Sequence, residues 1–148
     1  MRLIRVIPAL LMQKGGLVKT TRFKDPVYIG DPINAVRIFN EKEVDELLLL
    51  DISATAAGKE PDIERIREIV SEAFMPIAYG GGVNDIETIR NLLLAGVEKV
   101  VLGTAAHANP GLIKQAAERF GSQAIIVSVD VHKNFFGKSG TYHTNGKN

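Results

Sequence analysis

Two stretches of the sequence join an apolar run to glycine in a way that suits an anion. Met75-Pro76-Ile77-Ala78-Tyr79 runs into Gly80-Gly81-Gly82 and then into the helix start Val83-Asn84-Asp85. Val100-Val101-Leu102 runs into Gly103-Thr104-Ala105-Ala106. Glycine permits φ > 0 and leaves no Cβ in front of the backbone N–H groups, so amides at such strand ends can close on a phosphate. Three glycines alone equally describe a tight strand-to-helix turn. The second stretch, with a hydroxyl beside its glycine, adds weight to the anion. Asp51 and Asp130 close two further apolar runs, so polar groups gather at the carboxyl ends of several candidate strands.

The elements that must position these residues alternate in type. A first strand is expected over 5–11, followed by a polar loop over 13–30 carrying Lys14, Lys19, Arg22 and Lys24. Connections of that length are often functional. Asp31-Pro32 opens a helix with a cap and a proline at its first position. The run 46–52 is apolar enough for a strand buried on both faces. A second helix begins near Pro61, with Ile63, Ile66 and Val70 on one face. A strand over 76–79 leads to a helix that starts after Asn84 or Asp85 and stops at Gly96. A strand over 99–102 precedes a fourth helix, opened by Asn109-Pro110 and closed by Gly121. A fifth strand is expected over 124–131, and the remainder, 133–148, is polar with glycines.

Composition narrows the function. At 148 residues with 45% apolar and 24% charged content, the chain has the makings of one soluble domain. A net charge of +1 implies no polyanionic partner, and no basic stripe with interleaved aromatics suggests nucleic acid. With no cysteine there is neither a disulfide nor a thiolate metal site, which fits a reducing cytoplasm. His107, His132 and His143 have no metal-ligand spacing, so neither a metal nor a cofactor is expected. The apolar start after Arg2 and Arg5 lacks a small-x-small cleavage site and reads as a strand rather than a signal peptide. Nothing approaches the length of a membrane span.

The β-α-β-α-β-α-β-α-β order implies a parallel sheet. An open doubly wound sheet and a (β/α)₈ barrel compete. Polar features dispersed over the ends of several strands, with no single switch point, favour the mouth of a barrel. A whole barrel needs about 250 residues, so this α/β chain is expected to form about the N-terminal half of one, with five parallel strands, four helices and no second domain.

The ordered motifs then carry a resemblance over essentially the whole chain. Arg5-Val-Ile-Pro-Ala-Leu, Gly30-Asp31-Pro32, Asp45-Glu46 before the leucines and Asp51, Gly80-Gly81-Gly82, Leu93-Leu94-Ala95-Gly96, Thr104-Ala-Ala and Val129-Asp130 are similar, at matching spacing, to the cyclase subunit of imidazole glycerol phosphate synthase. The resemblance implies a (β/α)₈ fold and a glutaminase partner at the amino-end face of the strands. Ammonia from that partner would pass through the barrel to a phosphorylated nucleotide substrate. The products would be imidazole glycerol phosphate and an aminoimidazole carboxamide ribotide. It further implies a phosphate site at Gly81, Gly82, Gly103 and Thr104, and a catalytic carboxylate at Asp130, which at a strand end can act as a general base. Lys19 would help to close the site from the long loop. Arg5, Glu46 and Lys99 would form three members of a charged ammonia gate. Without the resemblance, Asp130 reads as a loop cap, Lys19 as a solvated surface lysine and the three charges as solvated strand starts.

Leu11 departs from the family, which places a catalytic aspartate there, and Glu98 replaces an aspartate with its charge kept. Leucine has no proton to exchange, and losing a general acid or base typically costs about 10²–10⁴-fold in rate. A related group of barrels, which deliver ammonia for amidating a nucleotide-linked sugar in surface polysaccharide synthesis, accommodates Leu-Leu at this point. Two further alternatives are a half-barrel that only binds phosphate and dimerises through unpaired strand edges, and a sugar-phosphate isomerase. The missing carboxylate counts against the isomerase as well.

Overall fold

The computed structural model describes residues 4–133 and 139–142. Among these residues nine strands and five α-helices run in the order β1 (Ala9–Gln13), β2 (Gly16–Thr21), β3 (Lys24–Gly30), α1 (Pro32–Glu41), β4 (Leu47–Asp51), α2 (Ile63–Ser71), β5 (Ile77–Gly80), α3 (Ile86–Leu94), β6 (Lys99–Leu102), α4 (Thr104–Ala108), α5 (Pro110–Phe120), β7 (Ile125–Val127), β8 (Asp130–Lys133) and β9 (Ser139–Tyr142). The main sheet has the order β3-β2-β1-β4-β5-β6-β7. Five of its strands, β1, β4, β5, β6 and β7, are parallel neighbours in chain order. A doubly wound sheet reverses the order of its parallel strands at a switch point; the five parallel strands here do not, and the turn-back beyond β1 comes only from the antiparallel pairings of β2 and β3. The helices follow suit: α1 packs beside α2, α2 beside α3 and α3 beside α5. The architecture is the α/β half of a barrel.

Side chains alternate across a strand, so each strand divides its residues between two faces. Leu47, Leu49, Ile77, Tyr79, Val100 and Leu102 point to the helices and are buried in one core with Val36, Ile66, Ile69, Ile89 and Leu92. The other face would be the inside of a barrel. It carries Ala9 and Leu11, Leu48 and Leu50, Ala78 and Gly80, and Lys99 and Val101, set side by side by the strand register.

Helix starts are fixed by aspartates. Asp31 accepts from the N–H groups of Ile33 and Asn34, Asp62 from Arg65 and Asp85 from Thr88. Asn109 occupies the cap position of α5 without a side-chain hydrogen bond. The Asp31 carboxylate also pairs with the Arg65 guanidinium at 2.6 Å, tying α1 to α2.

Four expectations are corrected. The first strand starts at Ala9 rather than Arg5, because Pro8 has no N–H for the ladder and contributes only its carbonyl, to Leu48. The segment 13–30 is not a loop. It is an antiparallel meander, β1-β2-β3, that extends the sheet. Its turns, Lys14-Gly15 and Arg22-Phe23, have φ > 0 at both central residues, as tight hairpins require. A short helix, α4, begins directly after Gly103. The fifth strand stops at Val127 because its neighbour β6 ends at Leu102 and the chain there turns into α4, leaving no partner for a longer ladder. Asp130 instead opens a separate antiparallel pair, β8-β9.

Replacing Asp31 with alanine removes the α1 cap and the tie to α2. Unfolding in urea should show a loss of about 1–2 kcal/mol; an unchanged midpoint would mean that packing alone sets the start of α1.

Candidate functional site

The inner face of the sheet has two chemically different ends. At the amino end sits a buried carboxylate. Glu46 is 1% exposed. Lys99 Nζ lies 2.6 Å from both of its oxygens, and Arg5 Nη2 lies 3.1 Å from Oε2. Lys99 opens β6, Glu46 immediately precedes β4 and Arg5 lies on the segment before β1, so the network joins the amino ends of three neighbouring strands. Both cations keep contact with solvent, so the group is a partly buried network in which the carboxylate bears most of the desolvation. Such a carboxylate is tolerable only with its partners in place.

At the carboxyl end lies a cavity of about 360 Å³. Asp130 lines it, half-buried at the start of β8, together with Asp51, Gly81, Gly82, Gly103 and Thr104. Leu11 lines the same cavity from β1, opposite Leu50 in the register. The structure therefore collects the sequence-derived mouth residues into one cavity, with Lys19 as the exception, and sets Arg5, Glu46 and Lys99 at the opposite end. Lys19 is an exposed residue of strand β2, and alternation turns it away from the cavity and its neighbour Thr20 towards it. His143 lies outside the described residues.

The glycines are held by close backbone approaches. Gly81 has φ 120° and Gly82 φ 70°. A Cβ on Gly81 would fall 2.3 Å from the Asp51 carbonyl oxygen, and one on Gly82 2.5 Å from that of Lys59. Gly103 differs: a Cβ there would meet nothing within 4 Å, so this glycine leaves open volume. Asp51 is committed to its own loop. Its Oδ1 accepts from the Ser53 N–H and hydroxyl, both at 2.8 Å, and from the Ala54 N–H at 3.0 Å. It thus sets the turn that carries Thr55, whose Oγ1 accepts the Gly82 N–H at 3.2 Å. Tyr79 lies beneath this loop, and its hydroxyl keeps its proton well above the usual phenol range, through burial first and then the charges of Asp51 and Asp62.

Among the described residues the cavity lining includes no lysine or arginine. An anion there would rest on N–H groups, hydroxyls or the His107 imidazole, and Asp130 brings a carboxylate to the same lining. Sequence reasoning missed Thr55, Gln13, Phe23 and Ser128 in the lining. For Thr55 a signal existed: a short hydroxyl side chain just past a strand end, as at Thr104. For Phe23 none did, since its place follows from a turn with unusual φ.

Comparison with known proteins places this geometry in context. The family described as "Histidine biosynthesis protein" matches residues 5–148. The chain belongs to that family. Its (β/α)₈ barrel is the fold of which the five parallel strands form part. Among relatives of the histidine biosynthesis family, the "Putative imidazole glycerol phosphate synthase subunit hisF2" of Pseudomonas aeruginosa is 52% identical over 96% of this chain and 57% of its own length. The "Putative imidazole glycerol phosphate synthase subunit hisF3" of Vibrio vulnificus is 55% identical over 90% of this chain and 51% of its own. The "Imidazole glycerol phosphate synthase subunit HisF" of Streptococcus mutans is 39% identical over 87% and 51%. The chain spans about half the length of these relatives.

Removing a cation from the Glu46 network leaves a buried carboxylate short of a partner. Lys99→Met is expected to cost about 3 kcal/mol in chemical unfolding at neutral pH. A loss below half of that would show Arg5 and solvent to be sufficient partners.

Proposed function

We propose that the chain is barrel machinery of an ammonia-using synthase subunit that forms imidazole glycerol phosphate and an aminoimidazole carboxamide ribotide in the cytoplasm. One observation supports this most: a single inner sheet face carries the Arg5-Glu46-Lys99 network at its amino end and the Asp130 cavity at its carboxyl end. In this reading a glutaminase subunit docks on the amino-end face and releases ammonia at the charged gate. Between the two ends the face offers Ala9, Ala78 and Gly80, small enough to leave a passage, and apolar enough to favour neutral ammonia over ammonium.

At the mouth, Gly81, Gly82, Gly103 and Thr104 frame the site of one phosphate of the substrate, and Asp130 acts as general base towards the ring-forming nitrogen chemistry. Lys19 contributes only if β2 and β3 rearrange over the mouth, since in the present conformation it faces away from the cavity.

Leu11 supports a second reading. It occupies the mouth where a two-carboxylate mechanism needs its second group. The acceptor of ammonia would then be a nucleotide-linked sugar, with gate, partner and phosphate site unchanged.

The test supplies the whole gene product with ammonium and the phosphoribulosyl-formimino aminoimidazole carboxamide nucleotide, and follows release of the carboxamide ribotide. Turnover is expected, falling about 10²–10⁴-fold in Asp130→Asn. No turnover by a folded wild type that binds phosphate, with activity appearing in Leu11→Asp, would transfer the assignment to the sugar acceptor. A wild type that binds no phosphate would sink both.

A further inference from the structure

The Gly82 N–H is already engaged. It donates to Thr55 Oγ1 at 3.2 Å. A hydroxyl has one donor and two acceptor sites. By accepting from Gly82, Thr55 is left with its own proton to give, and Thr55 lines the cavity. We propose that Thr55 is itself a ligand of the phosphate group, donating its hydroxyl proton to a phosphate oxygen while the Gly82 amide orients it from behind. The inference rests on the phosphate site proposed above and assigns it a donor that the glycine and strand-end pattern did not identify.

Three features of the structure make Thr55 suited to this. Its turn is rigid: the Gly58 N–H bonds to the Thr55 carbonyl at 3.1 Å, the Lys59 N–H bonds to the Ala54 carbonyl at 2.9 Å, and Asp51 holds the Ser53 and Ala54 amides. Gly82 is pressed against that turn, with the Lys59 carbonyl 2.5 Å and the Ala54 Cβ 3.0 Å from where its own Cβ would stand. The amide and the hydroxyl therefore cannot drift apart without moving the whole loop. Finally, no described lysine or arginine lines the cavity, which leaves His107 as the basic side chain of its described lining, so hydroxyl and amide donors matter to an anion there, and hydrogen bonds to a charged group are the stronger kind.

The chemical class of ligand is a phosphate monoester dianion, for which inorganic phosphate is the probe. The experiment titrates inorganic phosphate into the ¹⁵N-labelled full chain and follows the amide signals of Gly82 and Thr104. Wild type should saturate at both signals. Thr55→Val keeps the shape and loses the hydroxyl, and should weaken phosphate binding by about tenfold or more. Thr55→Ser should stay within about threefold of wild type, since it keeps the donor.

Binding by Thr55→Val as tight as wild type, or tighter, would overturn the inference: the freed Gly82 amide would then be the direct ligand. Equal weakening by Thr55→Ser and Thr55→Val would also overturn it, because methyl packing would then explain the loss. If Thr104→Val abolishes binding while Thr55→Val does not, the phosphate site stands and the role of Thr55 falls. If wild type shows no saturable shift at either amide, the phosphate site falls and the role of Thr55 with it.

Discussion

Strand pleating governs this molecule more than any single contact. With parallel strands in chain order, odd and even positions are sent to opposite faces, and a slip of one residue would exchange them. The register Leu49 beside Tyr79 beside Val100 puts every large core side chain against the helices. The same register sends Glu46 and Lys99 to the inner face, and Leu11, Gly80 and Val101 to the floor of the cavity. Packing and candidate chemistry thus share one determinant. The burial of Leu47, Leu49, Ile77 and Leu102 against the helices, each worth about 1.5–3 kcal/mol, holds the inner-face residues in place.

Much of this was legible beforehand, for identifiable reasons. The leucine run 47–50 and the caps Asp31 and Asp85 are local signals, and local signals survive into the fold. Glycines at Gly81 and Gly82 marked real close approaches of backbone. The β1-β2-β3 meander was not legible. One of its turns uses Arg22 and Phe23 at positive φ, where sequence rules look for glycine or asparagine. Its strand β3 carries the apolar run Val27-Tyr28-Ile29, but these side chains are exposed, they show no alternation of apolar and polar residues, and Pro26 before them argues for a loop. Reading that segment as a loop placed Lys19 on a mobile cover, whereas strand alternation turns it outward. The early end of β7 was hidden as well, because it depends on where a neighbouring strand stops.

The two ends of the inner face make opposite demands. At the amino end a carboxylate is kept out of water and must keep its cations. At the carboxyl end the described lining offers neutral donors and carboxylates, with open volume over Gly103. Leu11 brings no exchangeable proton to that lining, and Asp51 spends one carboxylate oxygen on its own turn. That imbalance is why the acceptor, rather than the nitrogen source, is where the two proposed readings part.

The proposed function requires nitrogen to enter beside Glu46 and to react beside Asp130 without meeting solvent in between. The most direct measurement runs the complete complex with glutamine labelled with ¹⁵N in its side-chain amide, in the presence of excess unlabelled ammonium. The account predicts that the product carries ¹⁵N almost undiluted. A product whose label matches the bulk ammonium pool would contradict it, because the ammonia would then have reached the mouth through water.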